Sequence, residues 1–182
     1  MASQGPNSPN TCADDATVGT VAWSNPNNAK VSDNIYSLNY VTYGGVKISH
    51  YLKATNFNFS IPRGATINGI LVEIERKQYD EGAIIQDSDV KIIKSDNTIG
   101  IENKADIGIS WPFTDTYKSY GSSSDLWGEN WLYSDINSSN FGVVLSVTGE
   151  QDRESPAQVD HIRITIYYTE AIISPFPTFF QP

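Results

Sequence analysis

The chain has one cysteine and two histidines in 182 residues, and 12 Lys or Arg stand against 21 Asp or Glu. A single thiol, Cys12, cannot close an internal disulfide, so oxidative cross-links do not hold the fold. It reads as a small buried apolar side chain. The formal charge of -9 repels a phosphate backbone, whose binding draws on a Lys and Arg surplus, and an anionic bilayer is disfavoured for the same reason. No apolar run approaches the roughly 20 residues that span a bilayer. The opening MASQGPNSPNTCADD has neither a basic start nor an apolar stretch, so no secretory signal is expected and synthesis in the cytoplasm is. Nucleic acid and membrane are therefore not among the expected partners.

Catalytic vocabulary is equally sparse. His50 and His161 are far apart in sequence, and neither has Cys, Asp or Glu beside it at metal-ligand spacing. There is no nucleophile elbow, no phosphate-cradling glycine loop and no HExxH. No catalytic residue, metal or cofactor is expected. Two lesser chemistries remain open. Glu73 and Glu75, two apart on a strand, would project from one face about 6 to 7 Å apart, near the separation that inverting glycosidases use. With Arg76 and Lys77 beside them, a solvated charged face is the simpler expectation. The acidic pairs Asp14/Asp15, Asp87/Asp89 and Asp152/Glu154 offer oxygen donors to calcium, but none has the spacing of a calcium loop, and solvated acidic loops are expected.

What the chain does contain is alternation. In INGILVEIERK, Ile70, Val72 and Ile74 point one way, and Leu71, Glu73, Glu75 and Lys77 the other, which is a half-buried strand. FGVVLSVTGE places Val143, Leu145 and Val147 on one face. VDHIRITIYYT does the same with Ile162, Ile164, Ile166 and Tyr168. Ser146, His161, Arg163 and Thr165 then fall on opposite faces open to water. Shorter strands are expected within 18–23, 35–42, 46–54, 56–61, 90–95 and 117–120. NPNN, GG, PRG and SDN supply turns between them, and single helical turns are expected within 122–128 and 134–140. About eight to ten short strands without crossover helices predict an all-β fold: an antiparallel β-sandwich, jelly-roll-like, with extended terminal arms.

Residues 1–12, rich in Pro, Asn, Ser and Gly, read as an N-terminal arm; 13–169 form the sandwich, and 170–182 a C-terminal arm. The latter, AIISPFPTFFQP, would expose Ile172, Ile173, Phe176, Phe179 and Phe180 to water, so it is expected to dock on a partner. A second aromatic group lies within WPFTDTYKSYGSSSDLWGENW, residues 111–131. Trp111, Tyr117, Tyr120, Trp127 and Trp131 either anchor a long polar connection onto the sandwich or form a platform for a glycan. Each buried indole removes about 150 to 250 Å² from water, worth on the order of 4 to 6 kcal/mol before entropy is subtracted, so anchoring is the expectation.

FNFSIPRGATINGILVEIERK, YGSSSDLWGENW, DINSSNFGVVLSV and VDHIRITIYYT, in that order, resemble a β-sandwich module that recurs in bacteriophage virion proteins and in bacterial surface proteins. The resemblance runs over residues 11–169 and rests on structural motifs: IP-x-GA-x-I-x-G turning the chain into a core strand, and D-I-N-x-x-N-F-G after the aromatic stretch. It supplies no catalytic motif. A small copy of the module without an export signal looks like a capsid decoration protein, head fibre or tail accessory protein. The resemblance therefore implies a non-enzymatic protein of a tailed phage, on the capsid surface of the virion. Its partners would be the major capsid protein or another virion protein, and sister subunits in a homotrimer. The competing implication is a carbohydrate-binding module for host adhesion.

Overall fold

The computed structural model describes residues 1–41, 45–79, 84–150 and 155–172. Within them the chain is all-β, with two antiparallel sheets packed face to face. The first sheet runs β1 (Ala2–Asn7), β10 (Ala157–Thr169), β6 (Thr66–Gln78), β8 (Thr116–Gly121), and β3 (Ser37–Asn39) shares the edge of β10 with β1. The second runs β2 (Thr11–Asp15), β5 (Tyr51–Thr55), β9 (Gly142–Glu150); β4 (Lys47–Ile48) continues the β5 edge of β9, and β7 (Ile84–Ile93) lies on its other edge. Almost every connection passes from one sheet to the other, which makes the sandwich jelly-roll-like.

The alternation read from the sequence builds the core. Ile70, Val72 and Ile74 of β6 and Ile162, Ile164 and Ile166 of β10 face Val143, Leu145 and Val147 of β9 and Val90 and Ile92 of β7, all fully or almost fully buried. Each contributes about 1.5 to 3 kcal/mol of burial, which forces the register because a one-residue slip would turn every one of them to water.

Four expectations are corrected. Residues 1–12 are not a separate arm: β1 pairs with β10 from Ala2↔Tyr168 to Asn7↔Ile164, and β2 begins at Thr11. A proline is tolerated there because β1 is an edge strand whose pairing shifts register between Gln4 and Asn7. Residues 56–61 do not form a strand, since Asn56 and Asn58 sit at φ 61° and 53°, a left-handed conformation that breaks an extended run. Residues 18–23 carry only a single bridge, Val21↔Ser49. Of the two helical turns, one is α1 (Tyr133–Ile136), while 122–128 forms turns without a helix.

The outer faces are also less open than alternation implies. Ser146, His161 and Thr165 are buried and Arg163 is half-buried. Chain segments cross both faces: Lys30 bridges to His161 on one, and Val18 and Ile99 pack over Tyr51, Ile93 and Val144 on the other. Strand direction gives the sandwich two poles. Ala2 and Thr169 lie at one, and the ends of β3, β6 and β9 with the start of β10 lie at the other. Ile172, just beyond β10, is 97% exposed. Ile173, Phe176, Phe179 and Phe180 lie outside the described residues.

Candidate functional site

The aromatic stretch turns inward. Trp111, Tyr120 and Trp127 are buried in the main core, with Trp131 packed against it and Tyr117 half-buried. Every indole N–H finds an internal acceptor: Trp111 donates to Asp87 at 2.8 Å, Trp127 to the Ile70 carbonyl at 3.0 Å, and Trp131 to the Leu126 carbonyl at 2.9 Å. A glycan platform built from these five side chains is therefore not presented, because three of its faces are spent on packing. The Trp127 backbone sits at φ 56°, unusual for a bulky residue, and its N–H bonds the Asp125 carboxylate at 2.8 Å. Strain of about 1 to 3 kcal/mol is outweighed by the burial of the ring. Gly121 makes the approach possible: a Cβ there would lie 2.4 Å from the Ile70 carbonyl oxygen and 2.7 Å from the Trp127 indole nitrogen.

Beneath the aromatic cover lies a buried ion pair. Arg76 and Asp87, 3% and 0% exposed, meet across the sandwich. The Asp87 carboxylate also accepts from the Tyr120 hydroxyl at 2.8 Å and the Asp106 N–H at 3.0 Å, and the Arg76 guanidinium stacks 4.6 Å from the Trp111 ring centre. Burial, then the Asp87 charge, push the Tyr120 hydroxyl well above its ordinary range. Arg76 does not belong to the solvated face with Glu73 and Glu75, and Asp87 is not a solvated loop acid. The signal was present: Arg76 continues the inward register of residues 70, 72 and 74.

Glu73 and Glu75 do share the outer face of the first sheet; Glu73 is paired, whereas Glu75 keeps its Oε2 buried without a hydrogen-bond partner among the described residues. Glu73 takes a bidentate pair from Arg163 at 2.9 Å, and that guanidinium lies 3.8 Å from the Tyr117 ring centre. Tyr117 Oη and Ser8 Oγ flank the His161 ring nitrogens at 2.8 Å each. Burial, then Arg163, hold His161 below its ordinary value. Burial, then its hydrogen bond to Glu75, raise Tyr117. Nearby, Lys77 and the Tyr36 hydroxyl converge on Asp115 at 3.1 and 2.7 Å, and the Asp160 carboxylate accepts from the Asp33 and Asn34 N–H groups at 3.3 and 3.1 Å. The network ties the segment before β3 across the sheet.

Asp14, Asp15 and Asp89 are likewise occupied. Asp14 holds the Trp23 N–H and His50 at 2.8 Å each; Asp15 takes the Thr17 N–H; Asp89 accepts from Tyr51 at 2.8 Å and Asn103 at 2.7 Å. Asp152 and Glu154 lie outside the described residues. Among the described residues no three His, Cys, Asp or Glu gather as a metal site. Cys12 is buried, and burial pushes its thiol up to about 12, far from nucleophilic use.

Open surface is found at the pole away from the termini. One depression is lined by Val46, Ile84, Gln86, Thr148, Gly149 and Glu150, and a second by Leu38, Tyr40, Tyr79, Pro156 and Gln158. Neither was anticipated, since their residues sit at strand ends that meet only in the fold. Comparison with family models, with curated proteins and with solved structures gave no match.

Proposed function

We propose that this chain is a non-enzymatic structural protein of a tailed-phage virion, a decoration protein on the outer capsid surface held by its C-terminal segment and by self-association. The observation that carries the reading is the exit of the chain: β10 ends at Thr169, and Ile172 is 97% exposed where the apolar, proline-containing sequence ISPFPTFFQP begins. Such a surface is unfavourable in water and favourable against a partner. Ile101, Ile107, Ile109 and Phe113, exposed on the long connection between β7 and β8, add apolar surface suited to contact with sister subunits or the shell.

The interior agrees with a rigid body rather than a reactive one. Glu73 is paired with Arg163, His50 and His161 with neighbouring side chains, and the mid-chain indoles with internal acceptors, and the module resemblance over residues 11–169 supports a virion role. Burial of Phe176, Phe179 and Phe180 would supply several kcal/mol gross, multiplied by the number of copies into avidity. A trimer is the proposed oligomer, with the major capsid protein as the outer partner.

Deleting residues 174–182 tests this. The expected product melts like the full chain but no longer joins particles or sediments as an oligomer. Incorporation at the full-length level would overturn the reading.

A further inference from the structure

The fold holds Ser8 between two fixed points. Asn7, the last residue of β1, pairs with Ile164 and donates its side-chain amide to the Phe57 carbonyl at 2.9 Å; on the other side Pro9 is buried and the Asn10 N–H bonds the Asn56 carbonyl at 3.0 Å. Ser8 itself is exposed. Its Oγ lies 2.8 Å from His161 Nε2, although the two residues are 153 positions apart in sequence. His161 Nδ1 lies 2.8 Å from the Tyr117 hydroxyl. A hydroxyl on one ring nitrogen and an orienting group on the other is the arrangement that activates a serine.

The neighbours decide which ring nitrogen carries the proton. The Tyr117 hydroxyl donates to the Glu75 carboxylate, so its oxygen is left to accept, from the Ser32 hydroxyl and from His161 Nδ1–H. With the proton on Nδ1, Nε2 keeps its lone pair and accepts from the Ser8 O–H. That is the tautomer a general base requires. Burial, then Arg163, hold His161 below its ordinary value, so the ring is neutral and free to take a proton at neutral pH.

We propose that Ser8 is an activated nucleophile that accepts an acyl group from an activated ester, with His161 as its general base and Tyr117 as the residue that positions the base. His161 Nε2 takes the Ser8 proton as Oγ attacks the ester carbonyl carbon; the Oγ–C bond forms and the carbonyl electron pair moves onto oxygen. Collapse of that adduct breaks the bond to the leaving oxygen or sulfur, which receives the proton back from the imidazolium. The acyl group ends on Ser8 and an alcohol or thiol is released. The inference concerns one transfer onto this chain and does not depend on a virion role.

The full chain would be treated with p-nitrophenyl acetate, quenched in acid and mapped by peptide mass. Acetyl is expected on Ser8, at a rate about 100-fold or more above that of Ser8 in the urea-unfolded chain, the scale of general-base assistance. Ser8→Ala should remove that acetylation without changing the melting temperature, since Ser8 is exposed. His161→Gln should slow it by about the same 100-fold factor. In the native chain the rate should rise with pH through one titration below about 6.5, that of an imidazole set among Glu73 and Glu75 of β6, Arg163 and the adjoining Asp160 of β10, and Lys30 of the crossing segment. Tyr117→Phe should displace that titration. Acetylation of Ser8 no faster in the folded chain than in the unfolded one overturns the proposal. So does a Ser8 rate that His161→Gln leaves unchanged, or one that does not follow the imidazole's titration.

Discussion

The Trp111 indole donates its N–H to the Asp87 carboxylate at 2.8 Å, beside the Arg76 guanidinium that neutralises it. This contact joins the long aromatic connection to the centre of the sandwich. Charges held out of water are tolerated only where the surrounding groups satisfy them, and here Trp111, Tyr120 and the Asp106 N–H do most of that work.

Removing one member should therefore be severe. Asp87→Ala leaves Arg76 buried without its counterion, and a loss of about 3 to 5 kcal/mol is expected. The Arg76 Nε is itself buried without a partner, so the pair is not ideally satisfied. An Arg76→Met, Asp87→Leu double variant should accordingly cost clearly less than the two single changes summed. Urea unfolding of the four proteins measures the coupling, and simple additivity would contradict it.

Trp127 and Trp131 should separate in the same assay. Trp127→Ala empties a fully buried site and is expected to cost about 3 to 5 kcal/mol. Trp131 is only half-buried and packs edge-on to Phe141, with ring centres 5.6 Å apart, so Trp131→Ala should cost less. Equal losses would mean that Trp127 is not the principal anchor.

His161 predicts an acid-side dependence. Burial and Arg163 lower its folded value while Glu75 and Glu73 oppose them, so the unfolded chain binds the proton more readily. Its contribution to stability is full above its unfolded value of about 6.5 and is lost as pH falls from there through the lowered folded value. Melting temperature should fall below about pH 6.5 more steeply in the native protein than in His161→Gln. Superimposable profiles would remove His161 from the account.

Cys12 gives a test of core integrity. With its thiol raised to about 12 by burial, labelling by a disulfide reagent at neutral pH should be slow in the native protein and fast in denaturant. Rapid native labelling would show that β2 opens readily.

Much of this architecture was legible beforehand because strand alternation is local. Residues 70–74, 143–147 and 162–166 state which side is apolar, and that side must be buried wherever the strands pair. Less could be read at the ends and on the outer faces. Composition made residues 1–12 resemble an arm, but hydrogen bonds to β10 give Ala2–Asn7 an edge position that no property of the segment itself announces. His161 and Thr165 alternate as solvent-facing residues, yet segments distant in sequence cover them.

The same division holds for the candidate sites. Sequence alone determined the β-sandwich, the inward use of the branched side chains and the poverty of catalytic groups, since each follows from residue type and a spacing of two. Tertiary structure decided that Arg76 meets Asp87, that Trp111 and Tyr120 close over them, and that Tyr40, Tyr79 and Gln158 line one depression. Those meetings depend on which strands become neighbours, and pairing across a sheet is set by the burial of the whole core rather than by any stretch of chain.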